Sequence, residues 1–346
     1  MKVAMVLPSL RNVGPVRVAF DIITSLQNAD VDFTVYYMNE DSELDFPCET
    51  IKLSIKTIPA LYSFDVIHSH MLKPDFINSV LPFYKGKKIS TIHNIVETDL
   101  LYSHGKFLSF VFSRLWVRIW RRLDECAVLS RIAQEYYERI GLDNFKLNVI
   151  YNGVESQSKK KIMDNVVIDR IFQLKEKYTV LGTVCLFNHR KGLEQVVKAL
   201  PLMQDCVFVV IGDGPVKNEL ISLAEKLNVS EKLVFLGFLH DATSYMALFD
   251  IYMMPSREEG FALALLDAVA SNVPVACSNI PVFKEAFEPN EVAFFNLDSA
   301  IQLLDAVNLL KVNGVCYSYK AKVRFERMYT REIMASNYFK RYLPTK

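Results

Sequence analysis

Short apolar runs alternate with longer amphipathic segments along most of the chain. Each run is four to eight residues long, and most are followed by Gly, Pro, Ser or Asn. Continuous apolar runs of this length are typical of strands that are buried on both faces of a parallel sheet. Their alternation with helical segments indicates right-handed βαβ units. The pattern predicts strands at residues 3–7, 33–37, 66–69, 88–92, 127–130, 147–151, 180–187, 207–211, 233–236, 251–254 and 273–277.

A polar segment without periodicity, ESQSKKKIMDN at residues 155–165, divides this pattern into two halves of similar size. Segments of this composition are typical of linkers. A chain of 346 residues is also long for a single hydrophobic core. We therefore predict an α/β protein with two doubly wound, Rossmann-like domains at residues 1–155 and 156–329. Two such domains facing each other would form a cleft at the carboxyl edges of their sheets, where ligands of these folds bind.

Charge and cysteine content argue against several classes of function. Forty basic residues nearly balance 39 acidic ones, so bulk charge gives no reason to expect nucleic acid binding. The six cysteines are scattered singly, without the spacing typical of metal sites, which favours free thiols in a reducing cytoplasm. The chain has no run of 18 apolar residues and no signal-peptide cleavage site. We expect a cytoplasmic protein, and peripheral contact with a membrane stays open.

The stretch SREEGFALALLDAVASNVPV, residues 256–275, carries two carboxylates at an unusual spacing. A strand at 251–254 is predicted to end in a loop, followed by a helix over residues 261–270. Free backbone N–H groups at such a helix start favour a phosphate. Glu259 would project from the loop, and Asp267 would follow about 12 Å along the helix, so that both could bind hydroxyl groups of one extended ligand. The predicted first turn consists of Gly260, Phe261, Ala262 and Leu263.

A second interpretation of the two acids needs no ligand. Glu259 would interact with the helix dipole, and Asp267 would lie on an exposed face of the helix. Spacing alone gives the two interpretations similar weight.

The segment EGFALALLDAVA, followed by NVPV, resembles the E-x7-E signature of the family 4 glycosyltransferases, which are retaining enzymes of the GT-B fold. Other segments match this family in the same order, and together they cover nearly the whole chain. They are residues 2–14 around the first glycine loop, DVIHSH at 65–70, TIHN at 91–94, VIYNGV at 149–154, RKG at 190–192, IGDGP at 211–215 and FLG at 235–237. The resemblance also implies a last helix, about residues 330–346, that returns to the first domain.

The resemblance implies a role for each matching residue. Glu259 would bind hydroxyls of the donor sugar, and Lys191 would neutralise the diphosphate as it leaves. His93 would face the reaction centre and contact the donor sugar. Asp267 stands where the family has a second Glu that binds the ribose. The donor-binding set implied by the resemblance is Gly14, Arg190, Gly260, Phe261, Ala262, Leu263 and Asp267. His68 and His70 are interpreted as structural or loop residues, and no metal or other cofactor is expected.

The sequence departs from the family pattern at two places near the expected diphosphate. Cys185 and Leu186 occupy the positions of an arginine that the family usually has before the lysine. Either Arg190 supplies the second cation, or the diphosphate is bound more weakly. Pro15 follows Gly14 where a second glycine is usual, and it has no N–H to offer a phosphate.

The segment from Leu100 to Leu123 carries five basic residues and no acid. One interpretation is a basic amphipathic helix that lies on an anionic membrane surface. The other is an ordinary domain helix that buries its apolar side and leaves its arginines in solvent. An apolar stripe at helical spacing is formed by Leu108, Val111, Leu115 and Ile119. Arginines recur on another face, and the flanking aromatics are Phe107, Phe110, Phe112, Trp116 and Trp120.

The function implied by the resemblance is transfer of a sugar from a nucleotide-diphosphate sugar to a hydroxyl of a glycan or lipid-linked glycan. Surface polysaccharide synthesis on the inner face of the cell membrane is the expected setting. Two alternatives stay open. One is a GT-B nucleotide-sugar epimerase or hydrolase, which needs no acceptor. The other is a catalytically degenerate protein that binds sugar nucleotides or membrane.

Overall fold

The chain forms two compact units. The computed structural model describes residues 1–156 and 163–344, and the side chains of residues 99 and 101–104 lie outside this description. The first unit comprises Met1–Gly153 and Tyr329–Lys346, and the second comprises Val154–Met328. Residues 157–162, most of the predicted linker, are not among the described residues.

The first unit contains a parallel sheet of seven strands in the order β3-β2-β1-β4-β5-β6-β7. This is the doubly wound order, with a switch point between β1 and β4 where ligands of such folds bind. The strands are β1 Lys2–Leu7, β2 Asp32–Tyr37, β3 Glu49–Lys52, β4 Val66–His70, β5 Lys87–Ile92, β6 Glu125–Val128 and β7 Leu147–Val149. The helices between them are α1 Gly14–Ser25, α2 Leu72–Val80, α3 Val96–Trp120 and α4 Arg131–Arg139.

The second unit has a parallel sheet of six strands in the order β10-β9-β8-β11-β12-β13, so the switch point lies between β8 and β11. Its strands are β8 Thr179–Val184, β9 Cys206–Ile211, β10 Leu233–Gly237, β11 Ile251–Met254, β12 Val275–Ser278 and β13 Ala293–Phe295. Its helices are α5 Asn165–Lys175, α6 Leu193–Ala199, α7 Lys217–Lys226, α8 Leu263–Ala270, α9 Pro281–Ala286 and α10 Ala300–Met328. The α/β fold with two parallel sheets agrees with the sequence prediction.

Every predicted strand overlaps an observed one, but two observed strands are missing from the prediction. One is β3, an edge strand with the polar sequence ETIK, which is mostly exposed. The other is β13, which has only three residues. The predicted start of β6 at residue 127 is later than the observed start at Glu125, because an acid does not belong to the apolar pattern of a buried strand. The structure pairs its carboxylate with the Lys87 ammonium at 2.6 Å, which allows the strand to begin there.

The last described helix is α11, Arg331–Tyr342, which belongs to the first unit and packs on α1. The Thr330 side chain caps its start by accepting a hydrogen bond from the Ile333 N–H. A Cβ at Gly153 would lie 2.2 Å from the Thr330 carbonyl oxygen, so only glycine fits at this close approach. Tyr338 and Tyr342 are buried, and their hydroxyls form hydrogen bonds with the side chains of Thr91 in β5 and His68 in β4, respectively.

A buried carboxylate, that of Asp75 in α2, ties several elements of the first unit together. Its Oδ1 accepts hydrogen bonds from the Ser69 and Ser90 hydroxyls, both at 2.7 Å, and its Oδ2 accepts one from the Trp120 indole at 2.8 Å. These donors come from β4, β5 and α3. Burial raises the pKa of Asp75 to about 7, against the effect of the three hydrogen bonds.

We predict that Asp75→Ala lowers the free energy of unfolding by about 2–4 kcal/mol, because the indole N–H is left buried without an acceptor. Asp75→Asn keeps an acceptor oxygen and should cost less. Chemical denaturation at several pH values measures both effects.

The pH dependence of the same experiment has a definite sign. The folded protein retains a proton on Asp75 that the unfolded chain releases above about pH 4, so the wild-type stability contains a contribution that falls as pH rises from about 4 to about 7. Asp75→Asn should lack this contribution. Identical pH profiles for the two proteins would contradict the raised pKa.

Candidate active site

The loop between β11 and α8 carries most of the predicted donor-binding residues. The helix begins at Leu263, so the prediction that it starts at Phe261 was wrong. Ala262 is the N-cap residue, with extended backbone angles, and Gly260 and Phe261 precede it. The residue before this extended N-cap, Phe261, is buried and only 5% exposed. Of the four residues predicted to form the first turn, only Leu263 is helical.

An ion pair connects this loop to the segment after β8. The Lys191 ammonium lies 2.6 Å from Oε1 of Glu259, and the Ser256 hydroxyl donates to the same oxygen at 2.7 Å. Both charged side chains are largely buried, with 16% of Lys191 and 7% of Glu259 exposed. The structure therefore brings together two of the three residues predicted to be catalytic.

The electrostatic environment keeps Glu259 ionised. Burial alone would raise its pKa, but the positive charges of Lys191 and Arg190 act in the opposite direction. Hydrogen bonds from Lys191 and Ser256 add to this effect, and the pKa of Glu259 is held below its usual range. The arrangement can therefore present a fixed anion and a fixed cation to one polar ligand.

Local backbone geometry sets the position of Lys191. It ends a short 3₁₀ turn, His189–Lys191, whose start is capped by the Asn188 side chain accepting from the Lys191 N–H at 3.2 Å. Gly192 follows in the left-handed region at φ 63°. A Cβ there would lie 2.1 Å from the Pro255 carbonyl oxygen, so glycine allows the lysine segment to approach the β11–α8 loop.

Three further residues, which sequence reasoning missed, fix the two segments to each other. The Arg257 N–H donates to the Arg190 carbonyl at 2.8 Å. The Arg257 guanidinium binds Asp298 through two nitrogens, at 2.6 and 2.8 Å, and Glu194 at 2.6 Å. These contacts hold the β11–α8 loop against the start of α6 and the loop after β13. The partners are distant in the sequence, so no local motif marks them.

Asp267 lies in the second turn of α8 and is only 7% exposed. The interpretation that places it on an exposed helix face is therefore wrong. Its charge acts on the buried Tyr252 hydroxyl, whose pKa is raised mainly by burial. Asp267 is thus a buried acid of the same unit as Glu259.

The departures from the family pattern have clear structural counterparts. Burial raises the pKa of the Cys185 thiol to about 12, so this side chain is neutral, and Leu186 is 63% exposed. Neither position provides a cation. Arg190 is the guanidinium whose charge reaches Glu259.

His93 and Gly14 belong to the first unit. His93 directly follows β5 and is 9% exposed, and its Nε2 lies 2.9 Å from Nδ1 of His70. Gly14 opens α1 after the end of β1, with Pro15 next to it at the helix start. His68 and His70 are buried residues of β4, which agrees with a structural role and excludes a loop position. Within the described ranges, no cluster of three or more potential metal ligands is present.

Helix α3 is divided at Gly105, which has φ 77°, and its second part exposes large apolar side chains. Leu108, Val111 and Leu115 of the predicted stripe are 43–45% exposed, so the interpretation that the helix buries this side is wrong except for Ile119. The buried side instead includes Ser109, Ser113, Val117 and Trp120. We define the aromatic–basic face as Phe107, Leu108, Phe110, Val111, Phe112, Arg114 and Leu115. Among the described residues, no helix is long and apolar enough to cross a membrane.

Comparison with known proteins agrees with the geometry. A family model described as "Glycosyl transferases group 1" matches residues 166–320, and one described as "Glycosyltransferase Family 4" matches residues 14–158. The O-antigen biosynthesis glycosyltransferase WclY of Escherichia coli is 32% identical over 98% of this chain and 97% of its own length. An Escherichia coli protein named UDP-Gal:alpha-D-GlcNAc-diphosphoundecaprenol alpha-1,3-galactosyltransferase is 24% identical, over 78% of this chain and 74% of its own.

Solved structures share the fold at low sequence identity. HepE of Anabaena, crystallised with UDP, is 16% identical and covers 99% of both chains with a TM-score of 0.83. WaaG, described as a glycosyltransferase involved in lipopolysaccharide biosynthesis, is 15% identical and covers 97% of this chain and 98% of its own with a TM-score of 0.72. The fold is therefore GT-B, and the chain belongs to the family 4 glycosyltransferases.

Proposed function

We propose that this chain is a retaining transferase that moves a sugar from a nucleotide-diphosphate sugar to a hydroxyl of a glycan or lipid-linked glycan. The observation that carries the proposal is the buried ion pair of Lys191 and Glu259 beside the start of α8. A fixed cation and anion at the carboxyl edge of a parallel sheet suit a ligand with both phosphate and hydroxyl groups. Nucleotide sugars are such ligands.

In the proposed reaction, the bond between the anomeric carbon and the diphosphate oxygen breaks, and the acceptor oxygen bonds to that carbon on the same face. The hydroxyl proton of the acceptor passes to the departing diphosphate, so no protein nucleophile is needed. Lys191 would stabilise the charge that develops on the diphosphate. Arg190 would supply the second cation, since Cys185 and Leu186 offer none. No metal or other cofactor takes part in the proposed step.

The remaining predicted residues have supporting roles in this proposal. Glu259 would accept hydrogen bonds from hydroxyls of the donor sugar, and Asp267 from the ribose. His93 would contact the transferred sugar. The glycine at position 14 and the backbone from Gly260 to Leu263 would approach the donor.

The names of relatives suggest the donor and acceptor to test first. HepE was crystallised with UDP, and one Escherichia coli relative is named as using UDP-Gal and a diphosphoundecaprenol-linked sugar. WclY is named for O-antigen biosynthesis. We therefore propose a UDP-hexose donor, a lipid-linked glycan acceptor and a role in surface polysaccharide synthesis.

Binding of the donor should be visible as a rise in melting temperature against UDP-, GDP-, ADP- and CMP-sugars. A donor at 100 times its dissociation constant stabilises the fold by about 2.7 kcal/mol. We expect a shift with one nucleotide class and its loss in Lys191→Ala. Lys311→Ala is the matched control, since it breaks a 2.8 Å pair with Asp205 that lies before β9, at the opposite edge of the sheet.

Turnover separates the transferase from its alternatives. Glu259→Ala and Lys191→Ala should each lower the transfer rate at least about tenfold, or roughly 1.4 kcal/mol of barrier. Because each change leaves a buried charge without its partner, rates are compared well below the melting temperature of each variant. Release of nucleotide without an acceptor would indicate a hydrolase or epimerase. Absence of any thermal shift would favour the degenerate alternative in the form that binds membrane rather than sugar nucleotides.

We also propose that the chain contacts the inner face of the cell membrane through the aromatic–basic face of α3. Phe107 is 78% exposed, and Arg114 stacks on the Phe110 ring with its central carbon 3.5 Å from the ring centroid. Aromatic side chains next to arginines bind the interface of anionic bilayers. A lipid-linked acceptor would be presented at that surface.

The double variant Phe107→Ser/Phe110→Ser should bind anionic phosphatidylglycerol vesicles at least about tenfold more weakly than the wild type, because it removes exposed apolar surface. Vesicle sedimentation at low and physiological salt measures the affinity. Phe83→Ser is the matched control, since Phe83 is 96% exposed in the same unit but lies between α2 and β5. Equal binding by the double variant and the control would exclude this face as the contact.

A further inference from the structure

A buried glutamine in α6 lies where the two segments of the candidate site meet. Gln195 is only 4% exposed, and its Nε2 donates to the Pro255 carbonyl at 2.7 Å. The same nitrogen donates to the Gly192 carbonyl at 3.4 Å. Gly192 directly follows Lys191, and Pro255 is the first residue of the β11–α8 loop, which carries Glu259. One amide group therefore contacts the backbone of both segments.

The other end of this amide binds a third segment. Oε1 of Gln195 accepts a hydrogen bond at 2.8 Å from the backbone N–H of Asp298, in the loop between β13 and α10. Since Nε2 faces two carbonyl oxygens and Oε1 faces an N–H, the partners fix which end of the amide is the nitrogen. A side chain at this position must therefore donate at one end and accept at the other, and an apolar side chain of similar length could do neither.

The start of the β11–α8 loop is closely confined around this amide. A Cβ at Gly192 would lie 2.4 Å from Nε2 of Gln195, so the amide packs directly against the lysine segment. The next carbonyl of the loop, that of Ser256, accepts a hydrogen bond from the buried Ser278 hydroxyl at the end of β12. The Ser256 hydroxyl in turn donates to Glu259. Two buried side chains thus fix the backbone from which Glu259 is held.

We propose that Gln195 is a positioning residue that sets the distance between the Lys191 ammonium and the Glu259 carboxylate. It acts through the backbone, because its amide joins the residue after Lys191 to the first residue of the loop that carries Glu259. A cation and an anion that are held in place can bind a polar ligand with little reorganisation. The benefit for the ligand rests on the proposed transferase function, whereas the effect on the ion pair does not.

A triple-mutant cycle tests this role without any substrate. Chemical denaturation of the wild type, Lys191→Met, Glu259→Gln and the double variant gives the coupling between the two charged residues. The same cycle is then measured in a Gln195→Met background, which keeps the length of the side chain but removes its donor and acceptor. We expect the coupling to fall by at least about half, because the two segments are no longer joined.

A role of Gln195 in fold stability alone gives a different result. It would lower the free energy of unfolding of all four proteins equally and leave the coupling unchanged, which would overturn the proposal. Gln195→Asn provides a second, milder background, since its amide is one methylene too short to reach Pro255. The coupling should fall in this background as well.

Val197→Ala is the matched control. Val197 is a fully buried core residue of the same helix, so its truncation destabilises the unit without removing the amide. The coupling between Lys191 and Glu259 should keep its wild-type value in this background. An equal loss of coupling in Val197→Ala would mean that destabilisation alone explains the effect, and it would refute the role of Gln195.

Binding of UDP, measured by calorimetry, separates this inference from the proposed function. If Lys191 binds the diphosphate, Gln195→Met should weaken UDP binding about tenfold and Val197→Ala should not. A wild-type protein that binds no nucleoside diphosphate would end the transferase proposal and leave the coupling result standing. Tight binding of UDP together with unchanged coupling in Gln195→Met would end only the inference about Gln195.

Discussion

Both units depend on one property of parallel sheets, which is that all strands end at the same edge. Side chains from distant parts of the sequence are therefore collected wherever the strands stop. In the second unit this edge gathers the segment after β8 and the loop after β11, which places Lys191 beside Glu259. In the first unit it gathers Gly14 after β1 and His93 after β5. The candidate chemistry follows from the topology.

Each unit buries ionisable side chains, and these differ in whether they carry a charge. Glu259 keeps its charge because a lysine and a serine bind it and an arginine lies near. Asp75 is held by three hydrogen bonds from neutral donors, and burial raises its pKa. Burial lowers the pKa of His68, His70 and His93, so these three rings remain neutral. Desolvation is common to all these groups, so neighbouring charge decides which of them are ionised.

The sequence predicted the parallel sheets well because strands that are buried on both faces have continuously apolar sequences. It failed at β3 and β13, where a polar edge strand and a three-residue strand carry little of that signal. For the site, the motifs indicated Lys191 and Glu259 but not Arg257, whose partners Glu194 and Asp298 are neighbours only after folding. The helix start at Leu263 was also missed, because the helix-forming composition extends back to Phe261 whereas the backbone at Ala262 is extended.

Beyond the break at Gly105, the two sides of helix α3 differ in how far they are buried. Beyond it, Ser113, Val117 and Trp120 pack into the unit, while Phe107, Leu108 and Val111 add little to the core. Substitutions on the outer side therefore have small effects on folding. Substitutions on this side could therefore alter the proposed membrane contact without altering the sheet that carries His93.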